Sequence, residues 1–151
     1  MESFISYKIL PENGLILNNF QYKVQIRDLI VLTIEFMEDP LYNSEYNLLM
    51  DFRDSMAIVF RMELSDYISF FKKSVRLKKK VKIAILYSSP NHEFLIKIYK
   101  PMAKLLKMEV EQFKDVNEAM IWLGIPMDDF SVINSHLNDI KGHIHQGFSK
   151  N

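Results

Sequence analysis

Four short apolar runs, "LILNNF", "YNLLMDF", "VKIAILYSS" and "MEVEQF", alternate with longer stretches whose apolar residues recur every three or four positions. No other feature limits the fold as strongly. A run of four to eight apolar residues between turn-forming neighbours reads as a strand, and a recurrence at threes and fours reads as an amphipathic helix. Strands that alternate with helices imply a mainly parallel sheet with helices packed over it.

The order can be followed along the chain. "ISYKIL" and "LILNNF" flank "PENG", whose Pro, Asn and Gly are turn formers, so a hairpin comes first. From Gln25 to Met37 the set Ile26, Leu29, Ile30, Thr33 and Met37 has helical spacing, and "EDP" ends it because the residue before proline avoids the helical region. "YNLLMDF" reads as a strand buried on both faces. Ser65 then stands as an N-cap ahead of Ile68, Phe71 and Val75, which share one helical face.

"VKIAILYSS" is continuous, apolar and β-branched, the clearest strand of the chain. Ser89 and Pro90 open a third helix carrying Leu95, Ile98, Met102 and Leu105, with Pro101 inside it predicting a kink near Tyr99 to Pro101. "MEVEQF" is the last strand. Asp115 and Glu118 form a capping-box-like pair for a helix that Gly124 and Pro126 terminate.

Composition bounds the function classes. With 151 residues, 48% hydrophobic and 25% charged, the chain suits one globular domain with a full core. Nineteen basic residues balance nineteen acidic ones, so overall charge directs the chain to neither nucleic acid nor acidic membrane. The absence of cysteine removes disulfides, thiol catalysis and cysteine-ligated zinc together. The start "MESFISYKIL" has no basic region or long apolar core, and no apolar run reaches the roughly 18 residues of a membrane span. A cytoplasmic location is the expectation.

Enzyme signatures are thin. The chain holds no Gly-rich phosphate loop, no "GxSxG" and no "HExxH", and four glycines do not build a nucleotide cradle. Asp51, Arg53 and Asp54 in "DFRDS" could form a catalytic cluster, but no local partner tunes them as a general acid or base. Pairing with one another, or capping the strand end, is the expected role. His136, His143 and His145 are too few for a metal site without further ligands, and His92 reads as a surface residue, so no metal and no cofactor is expected.

Two further features lie outside the alternating pattern. The run "KKSVRLKKKVK" brings together Lys72, Lys73, Arg76, Lys78, Lys79 and Lys80, either as a solvated helix end that complements the dipole or as a patch for anionic lipid headgroups beside Phe70 and Phe71. Nucleic acid fits this run less well, because aromatic stacking residues are not interleaved with the charges. Beyond Pro126, Phe130, Ile133, Leu137, Ile140 and Ile144 recur at three, four, three and four. Two heptads do not make an independent coiled coil, so this stripe must pack on its own domain, on a second copy or on another protein.

The segments "DP-x-Y … LLMDFRD", "KIAILYS" and the closing "FKDVNEAMIWLG" resemble the STAS-like family that is similar to sporulation anti-sigma-factor antagonists. The resemblance runs from about Tyr7 to Ile125, and its most specific part is the closing "F-K-D-x-x-E-A-x-x-W-L-G". It implies an α/β STAS-like domain over residues 1–125, with a mixed, mainly parallel sheet of about five strands, followed by a C-terminal amphipathic helix and tail over 126–151. It also implies a protein-binding switch, with a serine at the start of the helix after the central strand accepting phosphate.

The nearest match to that serine is Ser65 in "ELSDY", with Ser55 a poorer one. Here the chain departs from the family pattern: "D-S-[ST]-G" and its glycine are missing, and Glu63 and Asp66 surround Ser65. A plain N-cap contributing about 1 kcal/mol is the simpler role. The leading expectation is a non-enzymatic regulatory or interaction module, with a protein partner or a second copy docking on Asp51, Arg53, Asp54, Ser65 and the C-terminal stripe. The competing one follows from the family's likeness in fold to lipid-transfer domains: a carrier or sensor of an apolar ligand, peripheral to a membrane at most.

Overall fold

The computed structural model describes residues 4–57, 61–74, 80–90, 100 and 106–150. Its centre is a five-stranded mixed sheet in the sequential order β1-β2-β3-β4-β5. β1 (Phe4–Leu10) and β2 (Leu15–Val24) are the hairpin read from "PENG". Gly14, at φ 57°, closes the 3-10 turn Pro11–Asn13, and its amide donates to the Pro11 carbonyl at 3.2 Å. β3 (Asn47–Ala57), β4 (Val81–Leu86) and β5 (Met108–Phe113) then run parallel to β2.

α1 (Ile26–Glu38) joins β2 to β3, and α2 (Arg61–Ser74) lies between β3 and β4 in sequence. Both connections advance across the sheet in one direction, so right-handed crossovers place both helices on one face. There Ile16, Phe20, Met50, Phe52, Ile83 and Ile85 pack with Leu29, Leu32 and Phe36 of α1 and Tyr67 of α2. Phe20 and Phe52 stack at 4.2 Å between ring centres, nearly parallel.

The other face is covered by the C-terminal part. α3 (Val116–Trp122) and α4 (Phe130–Lys150) bury Ala119, Met120, Ile133, Leu137 and Ile140 against Leu15, Leu17, Leu49, Ala84 and Leu86. The alternation along β2, β3 and β4 therefore feeds two apolar layers at once, which is why these strands carry apolar residues at nearly every position.

Local signals explain the helix ends. The Gln25 amide donates to the Asp28 carboxylate at 2.7 Å at the start of α1. The Asp115 side chain accepts from the Asn117 amide at 3.1 Å and caps α3. Gly124 lies at φ 79°, and the Ile125 amide reaches back to the Met120 carbonyl at 3.0 Å, a left-handed helix stop. Replacing Gly124 by Ala is expected to lower stability by about 1 kcal/mol in urea unfolding, through backbone strain alone, because a Cβ there meets nothing within 4 Å.

Two sequence expectations change, and a third is untested. β3 continues to Ala57, so Asp51, Arg53 and Asp54 lie within the strand and do not mark its end. α2 begins at Arg61, so Ser65 sits in its second turn, exposed, and is not the N-cap. The third helix expected over Ser89 to Leu105, with its kink at Pro101, lies outside the described residues apart from its first positions and Lys100.

Candidate functional site

At the amino-terminal ends of the parallel strands, a pocket opens between α1 and the sheet, with a cavity volume of about 40 Å³. Leu29, Leu32, Phe36 and Met37 of α1 form one wall, Phe20, Met50 and Ile83 the floor, and Tyr42 and Tyr46 of the following loop stand at one side. Helical spacing positions the wall: these α1 residues all fall on the stripe that faces the sheet. Among the described residues, no Asp, Glu, Lys, Arg or His lines the pocket.

The polar lining is sparse. The Thr33 hydroxyl is satisfied within its own helix, donating to the Leu29 carbonyl at 2.8 Å. Burial pushes the Tyr42 phenol up from its ordinary pKa, so it stays neutral. Asn18, from the middle of β2, is different: it is fully buried, and neither its carboxamide oxygen nor its nitrogen has a hydrogen-bond partner. Each such group costs about 1–3 kcal/mol when nothing pairs with it. Asn19, one residue on and therefore on the opposite face, is buried and unpaired in the same way.

The charges of "DFRDS" lie in the second half of β3, beginning level with the carboxyl-terminal end of β4. Asp51 is fully buried and bidentate with Arg53, at 2.9 Å on each carboxylate oxygen. Lys141 of α4 approaches Asp51 at 3.3 Å and Asp54 at 3.0 Å. Burial alone would raise the Asp51 pKa, but the Arg53 guanidinium and the Lys141 ammonium outweigh it and hold the carboxyl below its usual range. The Ser88 hydroxyl donates to the Arg53 carbonyl at 2.8 Å, which joins the end of β4 to the cluster. The arrangement is a tie between sheet and helix. Both acids are engaged by cations, and no poised base results.

Other candidate residues are dispersed or consumed. Ile133, Leu137 and Ile140 are 0%, 2% and 5% exposed within this one chain, and Phe130 packs at the edge of the same layer. The stripe is core, which corrects its reading as a docking surface; the side chain of Ile144 lies outside the described residues. Lys72 and Lys73 are exposed in the last turn of α2, Lys80 pairs with Glu109 at 2.9 Å, and Arg76, Lys78 and Lys79 lie outside the described residues. Phe70 is half-buried and packs against the core between α2 and the sheet.

The sequence reading missed Asn18, Asn19 and Lys141. Two asparagines inside an apolar strand are a legible signal, since Asn is depleted in strands and rarely buried. Lys141, ninety residues from Asp51, gives no local signal at all.

The comparisons bear on the fold. A solved structure of an uncharacterised protein of the DUF3478 family from Shewanella loihica PV-4, described as having a SpoIIAA-like fold, matches 80% of this chain and 93% of its own, with a TM-score of 0.52 and 16% identity. The fold is SpoIIAA-like. That agrees with the resemblance carried by "LLMDFRD" and "FKDVNEAMIWLG" and, at this identity, concerns architecture alone. No protein-family model and no curated protein matches the chain. Among the described residues, no helix is long and apolar enough to cross a membrane.

Proposed function

We propose that this SpoIIAA-like domain is a binding module without chemistry of its own, which carries or senses a small apolar ligand held between α1 and the sheet. The observation that supports it is the pocket itself, lined among the described residues by uncharged and mostly apolar side chains. The charged cluster at the opposite end of the strands supports the non-enzymatic reading, because Asp51 and Asp54 are engaged by Arg53 and Lys141.

The neutral dye Nile red is expected to bind the full chain with blue-shifted emission. Met37→Trp, which fills the half-buried side of the pocket, is expected to weaken that binding at least tenfold while leaving the fold intact by circular dichroism. Equal binding by both proteins would count against the pocket as the site.

Docking of a protein partner is the second reading, and one observation favours it. Ile121, Met127 and Val132 are 63%, 77% and 53% exposed around the junction of α3 and α4. Single exposed apolar residues are ordinary, but three near one corner fit the centre of a small interface.

A further inference from the structure

We infer that Asn18 reads the head group of the pocket's ligand, and that this ligand is an uncharged amphiphile whose head both donates and accepts a hydrogen bond, such as a primary amide or an alcohol on a short alkyl chain. The inference rests on the proposal that the pocket binds a ligand, and it names the chemistry that the pocket selects.

In "LILNNF" the strand alternation sends Ile16, Asn18 and Phe20 to the α1 face, where the neighbouring positions of β3 and β4 carry Met50 and Ile85. On β1 Tyr7 stands opposite Asn18, but its hydroxyl donates to the Asp39 carboxylate at 2.8 Å, so the carboxamide has no cross-strand hydrogen bond. Asn18 is 0% exposed, lines the pocket, and leaves both its donor and its acceptor without a partner. Buried carboxamides in folded proteins are paired in the great majority of cases, so two unpaired atoms on one side chain at a pocket wall point to a partner from outside the chain.

The chemistry of that partner follows from the carboxamide and its surroundings. Asn offers two N–H donors on one side and a two-lone-pair oxygen on the other. A head that both donates and accepts satisfies both sides, whereas an ester or ketone satisfies only the nitrogen. A charged head is disfavoured more strongly. Among the described residues the lining supplies no opposite charge, and an ion taken from water into an apolar site without a counter-charge loses its hydration with nothing in return. Sites built around a hydrogen-bonding side chain reject analogues that leave it unpaired.

The test uses three probes of similar length: nonanamide, methyl octanoate and octanoate at pH 8. Binding to the full chain is followed by NMR through the Asn18 side-chain amide and the methyl groups of Leu32 and Ile83. Nonanamide is expected to bind at least tenfold more tightly than methyl octanoate, with octanoate weaker than either, and to move the Asn18 side-chain resonances. In Asn18→Leu, which keeps the branched skeleton without its polar atoms, the two neutral probes are expected to bind within about twofold of each other. If all three perturb the pocket methyls with similar affinity and the Asn18 amide stays unmoved, the pocket binds ligands but Asn18 does not read them, and this inference fails alone. If no probe perturbs the methyls, the ligand-binding proposal fails as well, and Asn18 is left to an ordered water. The wild-type resonances decide the matter even if Asn18→Leu does not fold.

Discussion

Truncation after Pro126 is expected to unfold the chain rather than to release a stable α/β core. α4 looks dispensable in sequence, as an amphipathic helix attached to the end of a recognisable domain. In the structure it supplies Ile133, Leu137 and Ile140 to a layer that also contains Leu15, Leu17, Leu49 and Leu86. Fully burying one such side chain stabilises by about 1.5–3 kcal/mol, so three from the helix alone amount to roughly 5–9 kcal/mol before the uncovered sheet is considered. Single domains are stable by only about 5–15 kcal/mol. The truncated chain is therefore expected to lose cooperative thermal unfolding in calorimetry and to aggregate through the exposed sheet face. A truncated monomer that melts cooperatively within a few degrees of the full chain would show that α4 is accessory.

Asp51→Asn is the second large effect. The substitution keeps the shape but removes the charge that Arg53 and Lys141 share, leaving two cations facing a neutral group. Arg53 and Lys141 side chains are 28% and 22% exposed, so the loss is expected near 2–3 kcal/mol, below the 3–5 kcal/mol of a fully buried broken pair. Lys141→Met, which leaves the Asp51–Arg53 pair whole, is expected to cost about 1 kcal/mol. The pH dependence has a definite sign. The Asp51 carboxyl is held below its ordinary value in the folded chain, so its contribution is fully present above about pH 4 and is lost as the pH falls through the lowered folded value. Urea unfolding at pH 7 should separate wild type from Asp51→Asn by the full amount, and the gap should close as the pH is taken well below 4. A gap that stays constant down to pH 2 would assign the effect to packing and not to charge.

The legible part of the site was its composition, and the illegible part was its geometry. "DFRDS" raised either pairing among Asp51, Arg53 and Asp54 or a cap at the strand end, and the structure pairs Asp51 with Arg53, two apart and so on one face of β3. The stretch gave no sign that Lys141 would join them, since that contact depends on how α4 lies across the sheet. The usual expectation for parallel sheets directs attention to the carboxyl ends of the strands. The pocket opens at the opposite ends, where the loop carrying Tyr42 and Tyr46 leaves room beside α1.

Ser65 illustrates a different failure. A serine before an apolar helical stripe has the signature of an N-cap, but α2 starts a full turn earlier, at Arg61, and local signals fix helix ends poorly when a tertiary partner extends the helix. Tyr67, fully buried between α2 and the sheet, is such an anchor. Ser65 remains exposed and chemically accessible, so its proposed modification is a matter for mass spectrometry of protein from its native source. The expected result is the unmodified mass, because Glu63 and Asp66 flank it and the family's glycine is missing.

By itself, the sequence determined the alternation of strands and helices, the hairpin at "PENG" and the stop at Gly124, and its motifs carried the resemblance that implied a SpoIIAA-like fold; the local features have a local cause. These follow from local backbone preferences and from hydrophobic periods of two and 3.6, which act within a few residues. Only the tertiary structure decided that the stripe on α4 is core, that Lys141 ties that helix to Asp51, and that Asn18 stands unpaired beside an apolar pocket. Each of these depends on which surfaces meet across long sequence separations, and no local preference encodes the angle at which a helix crosses a sheet.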